Sequence, residues 1–153
     1  MIKQKLKLYY KFLVQKLFQC VYGKILITNK SKKLIKKIKV NNSIFKTFNN
    51  KRYYLYNIKK ARIYTDNNLN VAVIKDNILL PDLSFQQVNG KLKSIRYNSV
   101  TQKGTPSFVK EIKGKVLNLC QGASGNNYFH FMFDIIPKIY LASSIINIEK
   151  IDY

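Results

Sequence analysis

At Gly122 the hydrophobic pattern of this chain changes period, and any fold must accommodate that change. Before it, Lys115-Val-Leu-Asn-Leu-Cys120 is a short apolar run that reads as a buried strand. After it, apolar residues recur at 128, 131, 132, 135, 136, 139 and 140, the spacing of one helix face. Between the two lies Gly122-Ala-Ser-Gly125, followed by Asn126 and Asn127, either of which can cap a helix. The order is strand, glycine turn, helix. It aims the unpaired N–H groups and positive dipole end of the helix at whatever occupies the turn. Pro137 removes one helical hydrogen bond, which predicts a kink or break after Ile136.

The same helix carries the only histidine of the chain. His130 and Asp134 stand at i and i+4, on one helix face and within hydrogen-bonding reach. A carboxylate one turn away orients an imidazole, as an acid/base histidine requires. A structural pair at the rim of the core, among Phe129, Phe131 and Phe133, fits the same spacing. Three familiar alternatives are absent. Position 126 is Asn, so Gly122-Ala-Ser-Gly125 does not form a G-x-S-x-G elbow, and neither GxGxxG nor GxxxxGK[ST] occurs.

Upstream, residues 2–22 place Ile2, Leu6, Tyr9, Tyr10, Leu13, Leu17, Cys20 and Val21 along one helical face. Lys3, Lys7, Lys11 and Gln15 lie on the other, and Gly23 is a fitting stop. Such a helix either docks on its own domain or lies on a membrane surface. The lysine run Ser31-Lys-Lys-Leu-Ile-Lys-Lys-Ile-Lys39 reads as a short basic helix or a linker. From Ala61 the texture turns to strands. Ala61–Tyr64 and Val71–Ile74 flank a turn at 66–70, and Ile78–Leu80 follows a turn at Asp76-Asn77, which predicts a small antiparallel sheet over about 61–80. Residues 82–113, with Asn89-Gly90 and Gly104-Thr-Pro106, read as a long loop or lid. The segment Ile145–Tyr153 reads as the first residues of a strand entering a sheet, which makes the chain look cut short. The organisation expected is 1–50 a basic amphipathic helix and linker, 51–113 a β-rich region with a long loop, and 114–153 the start of a βα unit.

Composition narrows the partners. With 153 residues and 46% hydrophobic content the chain can bury a core. Cys20 and Cys120 form no CxxC or Cys/His cluster, so no metal site is expected and a reducing compartment fits. The net charge of +21 is unevenly spread: residues 1–64 hold 18 of the 28 Lys and Arg and none of the 7 acids. Lys, Asn, Ile, Tyr and Phe are all over-used and all have AT-rich codons, which accounts for part of the lysine excess without any ligand. Aromatic residues interleave with the lysines at Phe45, Phe48, Tyr53, Tyr54 and Tyr56, yet no RNP-like or GXXG pattern gives them a recognised geometry. Nucleic acid is therefore the weaker partner class, and an anionic membrane met by residues 1–40 the stronger. No segment is apolar enough to span a bilayer, and Lys11 and Lys16 interrupt any signal-peptide core. A cytoplasmic protein, peripheral at the inner face of the membrane, is the expectation.

The run Gly114-Lys-Val-Leu-Asn-Leu, Asn127-Tyr-Phe-His130 and Asp134-Ile-Ile-Pro137-Lys138-Ile-Tyr140 resembles the signature of glycosyltransferase family 61, which includes proteins of capsular polysaccharide biosynthesis. Ala61-Arg-Ile-Tyr-Thr-Asp66, Val71-Ala-Val-Ile-Lys-Asp-Asn77 and Ser84 resemble the strands before it, so the likeness covers about residues 60–153. Lys138 stands where the family has arginine, keeping the charge but losing the bidentate fork. The resemblance implies an α/β fold, the start of a Rossmann-like half of a GT-B enzyme. It implies an inverting, metal-independent transfer from a nucleotide sugar, used as substrate and with no other cofactor, to a glycan acceptor. His130 and Asp134 are then the catalytic candidates, with Gly122, Gly125, Asn126, Asn127, Tyr128 and Lys138 binding substrate. A complementing C-terminal domain would hold most of the donor, and no turnover is expected of these residues alone. Beside this reading stand two others, a small basic nucleic-acid-binding protein and a membrane-surface protein.

Overall fold

A computed structural model describes residues 2–27, 36–40, 53–66, 70–88, 91–93, 95–98, 100–101, 107–120 and 127–153. The elements are helix α1 (Ile2–Tyr22) and strands β1 (Leu26–Ile27), β2 (Lys36–Lys39), β3 (Tyr54–Asn57), β4 (Arg62–Thr65), β5 (Asn70–Lys75), β6 (Ile78–Leu79), β7 (Phe85–Val88) and β8 (Lys91–Lys93). A helix over residues 128–143 follows, and short 3₁₀ turns lie at Pro81–Leu83, Ile95–Tyr97 and Ile148–Lys150.

β5 lies at the centre of the larger sheet because both of its faces are apolar. Val71 and Val73 pack with Leu80 on one side, joined by Ile58, Ala61, Leu83, Phe85 and Cys120. Ala72 and Ile74 pack with Leu79 and Val100 on the other, joined by Ile25, Tyr64 and Ile95. A strand buried on both faces carries no polar alternation, and its large side chains each contribute about 1.5–3 kcal/mol on burial. β4 fills one edge of β5 in antiparallel register, Arg62 opposite Ile74 through Thr65 opposite Val71. β6 and β7 share the other edge, pairing at Ile74–Lys75 and at Asn70–Val71 respectively. Between them Ser84 Oγ accepts from the Val73 N–H at 2.9 Å, and the Leu80 N–H donates to the Val73 carbonyl at 2.9 Å. A hydroxyl thus closes the gap in the ladder.

The hairpin expected over 61–75 forms, and Asp76 and Asn77 turn the chain into β6 with φ of 50° and 58°. The sheet is mixed rather than purely antiparallel, because β1 runs parallel to β6. Residues 82–113 are not simply a loop: β7 and β8 pair antiparallel, Gln86 opposite Lys93 through Val88 opposite Lys91. Nor is the lysine run a helix or linker where it is described. Lys36–Lys39 pairs antiparallel with β3 in a separate two-stranded sheet. There Lys37 Nζ lies 3.7 Å from the Tyr54 ring centre and 5.7 Å from that of Tyr56, so the aromatic faces of β3 hold the ammonium.

Helix α1 forms as expected and ends at Gly23, whose φ of 80° and N–H bond to the Gln19 carbonyl make a left-handed C-cap. It docks through a residue outside the apolar stripe. Phe18 is the buried residue, stacked on Tyr22 and edge-on to Phe108 with ring centres 5.2 Å apart. The Tyr22 hydroxyl accepts from the Val109 N–H at 3.0 Å, and its ring faces the Arg62 guanidinium. Leu6, Tyr9, Tyr10, Leu13, Leu17 and Val21 remain exposed.

Residues 115–120 do not form the short buried strand that their apolar pattern predicts. They run extended and largely exposed, with Leu117, Leu119 and Cys120 turned partly inward. The Leu117 N–H donates to the Tyr153 carbonyl at 2.9 Å, and the Tyr153 N–H donates to the Lys115 carbonyl at 3.2 Å. That is the pattern of one parallel rung between residues 116 and 153. Gly114, at φ 117°, lets Asp152 close against the backbone and accept from the Lys115 N–H at 2.7 Å.

Asn98, fully buried, fastens the sheet from outside its ladder. Its Nδ2 donates to the carbonyls of Val71 at 3.1 Å and Phe85 at 3.0 Å, while Oδ1 accepts from the Val100 N–H. Asn98→Ala leaves these buried groups without their partner, so stability should fall by about 1–3 kcal/mol or more. Denaturant unfolding monitored by circular dichroism measures the loss.

Candidate functional site

Asn127 starts the second helix. It is extended, with φ −138° and ψ 113°, and its Oδ1 accepts from the Phe129 N–H at 2.9 Å. Of the two asparagines that could cap, this one does. The helix then runs as α over Tyr128–His130, widens to a π turn over Phe131–Ile135, and returns to α over Ile136–Ser143. Pro137 does not break it. A proline ring in a regular α-helix would strike the carbonyl four residues earlier and leave it unpaired. The wider i→i+5 turn, closed by the Ile136 N–H on the Phe131 carbonyl, sits just ahead of that proline.

The π turn also alters which residues face inward. It adds one residue to the helical register, so 128 and 131 no longer align with 135 and 139. Ile135, Leu141 and Ala142 are buried. Tyr128, Phe131, Met132, Ile136 and Tyr140, expected on the core face, are exposed. Sequence spacing alone assumes unbroken α geometry and misses this shift.

His130 and Asp134 meet. His130 Nδ1 lies 2.7 Å from Asp134 Oδ2, and both side chains are partly buried. The Phe129 ring stands edge-on to the imidazole at 5.8 Å and stacks obliquely on Phe133 at 4.6 Å. With Nδ1 held by the carboxylate, proton exchange with a ligand falls to Nε2.

Lys138, one turn beyond Asp134, is half-buried. Burial pushes its ammonium down from the ordinary lysine value, while the charges of Asp134 and of Cys120 as thiolate pull it back up. Cys120 shows the reciprocal effect: burial raises its thiol, and Lys138 together with a backbone hydrogen bond lowers it. Cys120 also packs on the Val71–Val73 face of β5. The site therefore continues from the sheet core through Cys120 to Lys138, Asp134 and His130. Sequence reading treats Cys120 as an isolated cysteine. Its place at the end of the apolar run, just before the turn into the helix that carries Lys138, is the signal in the sequence.

Of the expected substrate-binding residues, Asn127 is spent on the cap, Tyr128 is exposed, and Lys138 lies beside Asp134. Gly122, Gly125 and Asn126 lie outside the described residues. Among the described residues, no three His, Cys, Asp or Glu side chains lie together as a metal would require. An open hollow of about 570 Å³ is lined by residues 143–149, at the far end of the helix from His130. No family model matches the chain, and no curated protein or solved structure matches it either.

The electrostatic influence of Lys138 on Cys120 is testable through the two thiols. Cys20 is exposed and Cys120 half-buried, so iodoacetamide should modify Cys20 first. Lys138→Met removes the cation that favours the Cys120 thiolate, so it should slow alkylation of Cys120 and leave Cys20 unchanged. Peptide mass spectrometry over a time course follows both.

Proposed function

We propose that the 114–153 unit forms part of the site of a glycosyltransferase that moves a sugar from a nucleotide-sugar donor to a glycan hydroxyl. The single observation that carries this is the His130–Asp134 pair at 2.7 Å near the start of the 128–143 helix. It is supported by the order of sequence elements that resembles glycosyltransferase family 61. His130 Nε2 takes the proton of the acceptor hydroxyl as that oxygen attacks the anomeric carbon. The bond from that carbon to the nucleoside diphosphate breaks, and the diphosphate leaves with the electron pair. Asp134 holds the ring in orientation and balances the imidazolium. Lys138 offsets the Asp134 charge between turns. In a GT-B arrangement a second Rossmann-like half would hold most of the donor, so the 114–153 unit contributes the base and part of the acceptor contacts.

Saturation-transfer NMR on the chain, with a panel of oligosaccharide acceptors and nucleotide sugars, tests the reading. Saturation should reach sugar protons near the His130 face, and His130→Gln and Asp134→Asn should each weaken it with an unchanged melting temperature. Where turnover is measured with a complementing domain, His130→Ala should lower it roughly 10²–10⁴-fold. No transfer to any sugar, or a fall in melting temperature with sugar contact unchanged, makes the pair structural and the proposal wrong.

A further inference from the structure

Helix α1 uses one face to dock and leaves a different, apolar face open. Docking rests on Phe18, 6% exposed, with Tyr22 one turn on. Leu6, Tyr9, Tyr10, Leu13, Leu17 and Val21 are between 49% and 68% exposed. At 3.6 residues per turn these six fall within about 120° of the helix circumference, turned away from Phe18. The stripe runs from Leu6 to Val21, about 23 Å along the 21-residue helix. Exposed lysines border it, Lys3 and Lys7 along one side and Lys5 and Lys16 along the other. A single exposed leucine on a surface needs no partner, but a contiguous stripe of this length does.

Charge decides what that partner is. Residues 1–64 contain no Asp or Glu, so every charge bordering the stripe is a cation; exposed Phe12 and Leu8 lie beyond Lys5 and Lys16. A second copy laid face to face would set lysine borders against lysine borders, and like-charge juxtaposition selects against that pairing. A surface that is apolar in its interior and anionic at its rim satisfies both features. No described helix is long and apolar enough to cross a membrane, so the helix would lie in the interface plane. We propose that α1 is an in-plane anchor, seating its Leu6–Val21 stripe among the acyl chains of an anionic bilayer with its lysines at the phosphate level. The Phe18 face stays on the protein, so the sheet is held close to the lipid surface. This inference is independent of the sugar-transfer reading.

The test is co-sedimentation of the full chain with vesicles of pure phosphatidylglycerol and of pure phosphatidylcholine. Binding should be strong to the first, weak to the second, and should fall as salt rises. Lys5→Gln and Lys16→Gln should each reduce the partition coefficient about fivefold, the worth of one lysine at such a surface. Leu13→Glu with Leu17→Glu should abolish binding while circular dichroism and melting temperature stay unchanged, because neither side chain packs on the fold. Equal binding to both vesicles, or no binding to phosphatidylglycerol, overturns the proposal. So does a lipid-free dimer in light scattering that the double leucine variant dissolves, which would make the occupant a second copy.

Discussion

Burial of β5 on both faces is the constraint on which the rest of this structure depends. A strand with Val71 and Val73 on one side and Ala72 and Ile74 on the other cannot sit at a wet surface. Each face must therefore recruit cover from elsewhere in the chain. One side draws in Ile25, behind the C-cap of α1, and Val100, held by the Asn98 clasp. The other draws in the 3₁₀ turn through Leu83 and the extended 115–120 segment through Cys120. Elements far apart in sequence are thereby fixed relative to one strand.

The candidate site is positioned by the same demand. Cys120 packs on the β5 core, and its thiol feels the charge of Lys138. The rung between residues 116 and 153 ties the chain on either side of the second helix, so that helix is bracketed at both ends. Within it, the π turn ahead of Pro137 keeps the helix continuous and leaves His130 and Asp134 one turn apart. π turns inside α-helices occur often at functional positions. Here four large aromatic rings, those of Tyr128, Phe129, Phe131 and Phe133, are exposed on the same stretch of helix, with Phe129 edge-on to the histidine.

How much of this was legible in the sequence depends on whether local pattern or tertiary partner decided each element. The β4–β5 hairpin was legible, because its two apolar runs flank polar turn residues. α1, its Gly23 stop and the i, i+4 reach of His130 to Asp134 were also legible from local geometry. β2 was not: Lys36-Lys-Ile-Lys39 becomes a strand because Tyr54 and Tyr56 across the ladder accept a lysine on their faces. β7 and β8 were hidden for a similar reason. Gln86, Gln87, Lys91 and Lys93 carry little hydrophobic pattern, and it is pairing with β5 and with each other that makes them strands. The apolar face of α1 was legible as a stripe, but the residue that docks the helix was not, since Phe18 finds Phe108 in a segment ninety residues away. The phase shift in the second helix follows from a proline whose effect sequence reading placed one turn too late.

The central claim, that doubly buried β5 is the most stable element and the others are secured to it, is tested most directly by native-state amide hydrogen exchange. The account predicts that Val71, Val73 and Ile74, with Leu79 and Leu80, exchange last, through global unfolding. Amides of α1 before Val14, exposed on every side, should exchange first, and those of the 128–143 helix in between. Slowest exchange in α1 or in the 128–143 helix, with β5 opening earlier, would contradict it.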